Sequence, residues 1–400
     1  MSLGGGGVPG IEEPYIAVHS AGNDLPWVPW IFKPGGRVEV TNSPSTTRSF
    51  GHSCVLCGGV IFDDNWNYEH PLPQWVHRMA GDAGERRSGI IRSDGALSPT
   101  WRQLCLASHR SCNSLFAKYI ENPARSGLSA MVDGGVVTST QIDAILDWLD
   151  KVRSASAHMA TAFTGHPNVL RYIPQSFPNR RIGAWDRAAM FFRIDKYREP
   201  LDLWDCNHPA FLSTPSALIL RIKNLIIVTV SNNYMLTDAF GLGGAVRLDP
   251  SDEDGEWIPG DGKYAAGFGS RRTRLGTGFV VAQAMRRAYF KQGQQIPAPA
   301  LKANGDGHVY HLFQNRWERT KSLDFSKLPV LSRDLGVALA GLEVCEWLIL
   351  FKERDHVLVG KPSNYFAAES LSSLYVEKSQ LLEAVAASRG GLLAPFDDRN

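Results

Sequence analysis

No excess of charge marks this chain. Its 42 lysines and arginines nearly balance 40 aspartates and glutamates, a formal net charge of +2 over 400 residues. That balance excludes an electrostatic grip on nucleic acid by the protein as a whole and leaves room only for a local basic face. Arginines cluster at Arg86-Arg87, Arg180-Arg181, Arg271-Arg272 with Arg274, and Arg286-Arg287; each cluster alone reads equally well as solvated surface. No uncharged apolar run approaches the roughly 20 residues that span a bilayer. Residues 335–351 come closest and are interrupted by Glu343 and Glu346. The opening Met-Ser-Leu-Gly-Gly-Gly-Gly has neither the basic nor the apolar segment of a secretory signal. The expectation is a cytoplasmic protein with no membrane partner. Internal repeats and low-complexity tracts are missing too. What remains is a globular composition, 44% hydrophobic and 20% charged, long enough for two or three domains.

Cysteine is also scarce, and its placement is uneven. Four of the six, Cys54, Cys57, Cys105 and Cys112, fall within 59 residues, whereas Cys206 and Cys345 stand alone in apolar surroundings. In a chain of this size that clustering points to metal binding in a reducing compartment rather than to a disulfide scaffold. The isolated pair reads as buried thiols.

The pattern along the chain predicts an α+β protein. Residues 1–45, rich in Gly and Pro with Trp27 and Trp30, read as an irregular extension, and 46–130 as a cysteine/histidine module. Residues 131–165 read as a helical connector, and 166–400 as an α+β region. Within the module, residues 60–62 are a strand candidate. Residues 68–70 sit at the start or end of a second strand, which Pro71 and Pro73 break. After Cys112 the residues Leu115, Phe116, Tyr119 and Ile120 recur at helical spacing, and Asn122-Pro123 is expected to stop the run. Ser139 or Thr140 can cap a helix that presents Ile142, Ile145, Leu149 and Val152 on one face and ends at Gly165-His166-Pro167.

Farther on, residues 217–222 and 225–231 read as strands, and 304–307 as a turn leading into strand-like sequence. Residues 279–290, 334–348 and 367–388 read as helices. His308 and His311 lie in strand-like surroundings that would point them to opposite faces, which speaks for structural roles. The glycines of 241–244 beside Asp238 lack the lysine of a phosphate loop and read as a turn.

The chemistry concentrates in the module. Cys54-x-x-Cys57 and His109-x-x-Cys112 form two short ligand pairs of the kind that closes a tetrahedral zinc site. The spacing favours His109 as the fourth ligand; Cys105, seven residues before Cys112, is the alternative. Between the pairs stands Glu69-His70. An imidazole with an ordinary pKa near 6.5 can take a proton from water at neutral pH, and a carboxylate or carboxamide can hold a hard divalent cation. Phosphodiester hydrolysis needs both functions. Asn113, next to the last zinc cysteine, is the candidate second ligand of that cation.

These residues carry a resemblance. The run Cys54-Val-Leu-Cys57-Gly58, then Glu69-His70-Pro71-Leu72-Pro73-Gln74-Trp75, then Cys112-Asn113 through Phe116 to Glu121 resembles the HNH endonuclease superfamily, and more narrowly its bacterial and phage proteins with a CxxCG…EHxxPxW…CxxCN pattern. The resemblance implies a zinc-stapled ββα-metal finger followed by a larger α+β region. It implies a metal-dependent endonuclease acting on nucleic acid, DNA before RNA. His70 would be the general base, with Glu69 and Asn113 holding Mg2+ or Mn2+, and Cys54, Cys57 and Cys112 holding structural Zn2+. Trp75 and Phe116 would pack the finger, and Glu121 fits a helix-surface or salt-bridge role as well as a functional one. The chain departs from the pattern at His109, which stands where the family has cysteine, and at Glu69, where aspartate is commoner. It also has 38 residues between His70 and His109 and no middle asparagine, for which Gln103 is a poor substitute. Those departures keep two other readings in view: a catalytically inactive, zinc-stapled module that binds nucleic acid or protein, and an RNA-cleaving effector.

Overall fold

A computed structural model of the chain describes residues 30–32, 38–40, 52–53, 60–61, 65–82, 84, 100–101, 104–164, 186–204, 217–232, 245–246, 257–258, 278–283, 308–313, 316–359 and 366–388. Two short antiparallel pairs come first: β1 (Trp30–Phe32) with β2 (Val38–Val40), and β3 (His52–Ser53) with β4 (Val60–Ile61). β5 (Trp66–Glu69) leads into α1 (Gln74–Ala80) and pairs with β6 (Leu106–His109), which runs directly into α2 (Arg110–Phe116). A π-helical turn, Ala117–Glu121, joins α2 to α3 (Asn122–Asp133), followed by β7 (Val136–Thr138) and the 26-residue α4 (Ser139–Thr164).

The larger sheet begins with β8 (Asp186–Ile194), β9 (Leu201–Trp204), β10 (Ala217–Ile222) and β11 (Leu225–Asn232). After a separate pair, β12 (Ala245–Val246) and β13 (Trp257–Ile258), it resumes with β14 (Phe279–Gln283), β15 (Val309–Phe313) and β16 (Arg316–Arg319). β17 (Ser322–Asp324), the 3-10 turn Phe325–Lys327, β18 (Val330–Leu331), α5 (Arg333–Val359) and α6 (Phe366–Ser388) follow. The chain is mixed α+β, as its pattern predicts.

The strand order is β16-β15-β14-β8-β11-β10-β9, antiparallel throughout, with β18 joining β8 in parallel at Val330↔Arg193. Alternation along β8 sets the layers, because successive side chains of a strand face opposite ways. Arg187 turns to α4, where it meets Asp143, Asp147 and Asp150. Ile194, on the other parity, turns to α5, where a Cβ on Gly336 would come within 2.4 Å of its Cγ2. The sheet is therefore covered by α4 on one face and α5 on the other, and α6 packs on α5. Burial on both faces explains why all six residues of β10 are buried and why β10 and β11 read as nearly continuous apolar runs.

Several elements differ from the sequence reading. Residues 279–283 form the interior strand β14 rather than the start of a helix. Its neighbours β8 and β15 supply hydrogen-bond partners on both sides, and the β-branched pair Val280-Val281 fits a pleated, buried surface. Asn122-Pro123 does not stop the helix. Proline lacks an N–H and its ring crowds the carbonyl four residues back, but the π turn widens the helix at that point and Pro123 falls in the first turn of α3. The cap of α4 is Thr138, one residue earlier than expected. Its Oγ1 accepts from the Gln141 amide at 3.3 Å while Gln141 Oε1 accepts from the Thr138 amide at 2.9 Å, a reciprocal capping box. The 1–45 extension contains a paired strand segment.

The 131–165 stretch supplies much of the core. Ile142, Ile145, Trp148, Leu149 and Val152 of α4 are fully buried, in one continuous apolar cluster that also holds residues of α1, α3, the sheet and α5. Among the described residues no helix is long and apolar enough to cross a membrane. Cys206, residues 238–244 and residues 304–307 lie outside the described residues.

Candidate metal and catalytic site

Glu69 and His70 sit where β5 ends, and the register of the hairpin, Glu69↔Leu106 through Trp66↔His109, places β6 beside them. β6 ends at His109, and Cys112 and Asn113 follow in the first turns of α2. In this register His109 lies opposite Trp66 and His70 just beyond the Glu69↔Leu106 pair, so the zinc-type pair and His70 stand at opposite ends of the hairpin, and α2 packs back along it. Asn113 ties the helix to the hairpin, its Nδ2 donating to the Tyr68 carbonyl at 2.9 Å. Phe116, fully buried, and Trp75, 7% exposed, form the packing beneath. Trp75 lies 5.3 Å from Trp148 of α4, ring centre to ring centre, an aromatic contact worth about 1 kcal/mol.

His109 Nδ1 and Cys112 Sγ are 3.7 Å apart. A zinc ion with metal–sulfur and metal–nitrogen bonds of about 2.3 and 2.0 Å in tetrahedral array separates its sulfur and nitrogen ligands by about 3.5 Å. This pair fits one edge of such a site. Cys54 and Cys57 lie outside the described residues, but β3, which immediately precedes Cys54, has Cα atoms within 8 Å of β6, which ends at His109. Cys105, the alternative fourth ligand, is placed elsewhere: its Sγ lies 3.6 Å from His70 Nδ1 and 3.8 Å from Nε2. Among the described residues alone no group of three or more His, Cys, Asp or Glu side chains converges on a metal position.

His70 is half-buried, and its Nδ1 lies 3.0 Å from the Leu104 carbonyl oxygen. A carbonyl can only accept, so in the neutral ring this bond places the proton on Nδ1 and makes Nε2 the basic nitrogen. That tautomer suits a group that takes a proton from water.

Glu69 is 3% exposed and pairs directly with Lys151 of α4. The same ammonium donates to Glu121 Oε1 at 2.7 Å and to the His70 carbonyl at 2.9 Å. Trp75 Nε1 donates to Glu121 Oε2 at 3.3 Å. Lysine has three N–H donors and here uses all three, one on each acceptor. Burial works against the charged ammonium, but the Glu121 and Glu69 carboxylates beside it outweigh that cost and hold its pKa above the ordinary lysine range.

Lys151 was not visible as a site residue from sequence. The available signal was a lysine three residues after Trp148 and four before Ala155, on a helical face that is otherwise apolar. As for the hard cation expected at Glu69 and Asn113, one Glu69 oxygen carries the ammonium and the Asn113 amide nitrogen is spent on Tyr68. A carboxylate has about four acceptor positions, and two carboxylates with one ammonium keep a formal charge of −1. Compared with protein-family models, with curated proteins and with solved structures, the chain matches none.

Proposed function

We propose that this chain is a metal-dependent, HNH-type endonuclease that hydrolyses phosphodiesters in nucleic acid, DNA in preference to RNA. The observation that carries the reading is the hairpin-then-helix arrangement of β5, β6 and α2: it sets His109 and Cys112 at one end of the hairpin and His70 just beyond the other, with Asn113 bonded to Tyr68 between them and the Leu104 carbonyl on Nδ1 of His70. Structural zinc would be held by Cys54, Cys57, His109 and Cys112. Bound Mg2+ or Mn2+ would supply charge stabilisation at the scissile phosphate, with Glu69 and Asn113 as its protein ligands. His70 takes the proton of the attacking water through Nε2. Lys151 fixes the carbonyl of His70 and the carboxylate of Glu69, and so sets the angle at which the ring is presented.

The test is cleavage of plasmid and single-stranded DNA, then RNA, with and without Mg2+ or Mn2+, for the native protein and His70→Ala. Metal-dependent cutting that falls by about 100-fold or more in the folded, zinc-loaded variant is expected, the usual weight of a general base. The engagement of Glu69 by Lys151 supports a second reading, a zinc-stapled nucleic-acid-binding module without catalysis. Retention of DNA by a zinc-loaded native protein that cuts neither DNA nor RNA would establish that one instead.

A further inference from the structure

One side of the helical run that leads from α2 through the π turn into α3 is buried at every fourth position, by Cys112, Phe116, Ile120, Ala124 and Leu128. Two positions away, and so on the opposite side of the helix, stand Arg110, Ser114, Lys118, Asn122 and Ser126, and all five are exposed. A spacing of four drifts slowly around an α-helix of 3.6 residues per turn. The wider turn at Ala117–Glu121 takes back part of that drift, so each line keeps to its own side. Arg125, also exposed, comes three residues after Asn122 and is its neighbour on the helix surface. The acids of residues 110–133 are Glu121 and Asp133. Glu121 is turned to Lys151 and Trp75, and Asp133 lies beyond the end of the line, where the Ser129 hydroxyl donates to it at 3.4 Å. From Arg110 to Ser126 the outer side thus carries three cations, two hydroxyls and a carboxamide, and no acid.

The run spans the hairpin from end to end. Its start adjoins His109, with the Arg110 amide donating to the Asn65 carbonyl at 3.1 Å, and Glu121 reaches the His70 carbonyl through Lys151 at the other end. Sixteen steps at 1.5 Å bring Ser126 roughly 24 Å along the axis from Arg110, the length of about seven phosphates at 3.4 Å per step of one strand. Arginine, lysine, serine and asparagine are side chains that bond phosphate oxygens. None of the six is aromatic, as stacking on the bases of a single strand requires. We propose that this line is a phosphate track for duplex DNA, holding the sugar–phosphate backbone without reading its sequence. It is a local basic face on a chain whose overall charge is close to balanced. As the path of a substrate toward His70 it rests on the nuclease reading; as a DNA-binding surface it is tested without cutting.

Fluorescence anisotropy of a labelled duplex of about 20 base pairs, titrated with the full chain at roughly 50 to 200 mM salt and without Mg2+ or Mn2+, tests this. Duplexes of different sequence should bind alike. The triple variant Arg110→Gln/Lys118→Gln/Arg125→Gln alters only exposed side chains and should keep the native melting curve. Its plot of log affinity against log salt should be shallower by about 3, at 0.9 for each lost phosphate contact, and its affinity at the lowest salt weaker by roughly tenfold or more. A control, Lys196→Gln/Arg198→Gln/Lys327→Gln, removes the same charge from exposed positions outside the module and should leave slope and affinity as they are. The proposal is overturned if the native protein binds no duplex at about 100 µM, the weak limit of non-specific binding. It is also overturned if the triple variant keeps the native slope, if the control loses as much, or if only single strands bind. Cutting without this loss would remove the track and leave the nuclease reading; the loss without cutting would do the reverse.

Discussion

A single side chain, Lys151, sits where the β5–β6 hairpin meets the long helix α4. Removing its charge would strand Glu69 and Glu121, one 3% exposed and the other half-buried. Lys151→Met is therefore expected to cost about 3–5 kcal/mol, the scale for breaking a buried ion pair from one side; urea denaturation measures it. The pH dependence has a definite sign. The folded pKa of Lys151 is raised above the ordinary 10.5, so its stabilisation is complete below that value and fades only as pH climbs through the raised one. The stability difference between native and Lys151→Met proteins should stay constant between about pH 6 and 9 and shrink in strong alkali. A difference that shrinks already near neutrality would mean the ammonium is not held as described. The His109–Cys112 contact could be read from spacing because the two lie three residues apart and meet in space at 3.7 Å. Lys151 could not, since Glu121 and the His70 carbonyl lie 30 and 81 positions away.

Whole elements are pinned by close approaches that only glycine permits. α5 rests on β8 at Gly336, where a methyl group would meet Ile194 at 2.4 Å. Gly336→Ala should destabilise by about 1–3 kcal/mol through overpacking, outweighing the roughly 1 kcal/mol that alanine returns in a helix. A rise in melting temperature would show that α5 does not approach the sheet this closely. For α2 the expected test is metal content: Cys112→Ser should lower bound zinc, measured by atomic emission, while a variant of Cys105, which faces His70, should retain it. Elements with a sustained period were legible, as with α4, whose apolar stripe is as the sequence predicts; its expected end at residues 165–167 lies outside the described residues. β14 was not, because a short apolar run such as Phe279-Val-Val-Ala carries no period that tells strand from helix, and its identity is settled by β8 and β15 on either side.

Across the whole molecule the hairpin module, α4 and the large sheet share one continuous apolar cluster. Removing the proposed zinc with a chelator should therefore lower the melting temperature of the entire protein in one calorimetric transition; two resolved transitions would show that the module melts apart from the sheet. The α+β class was readable from the alternating patterns, but the sharing of one core was not, because it depends on α4 presenting one face to the module and another to Arg187. The small pairing of β7 with β17 has a consequence in time. Val137 is opposite Leu323, which follows it by 186 residues. At about 5–20 residues per second on the ribosome, the strand that leads into α4 waits roughly ten to forty seconds for its partner to be made. During that wait α4 can already pack on α3 and Trp75, which precede it in the chain, so the β7–β17 pair is a late closure of the fold and not a prerequisite for burying the apolar face of α4.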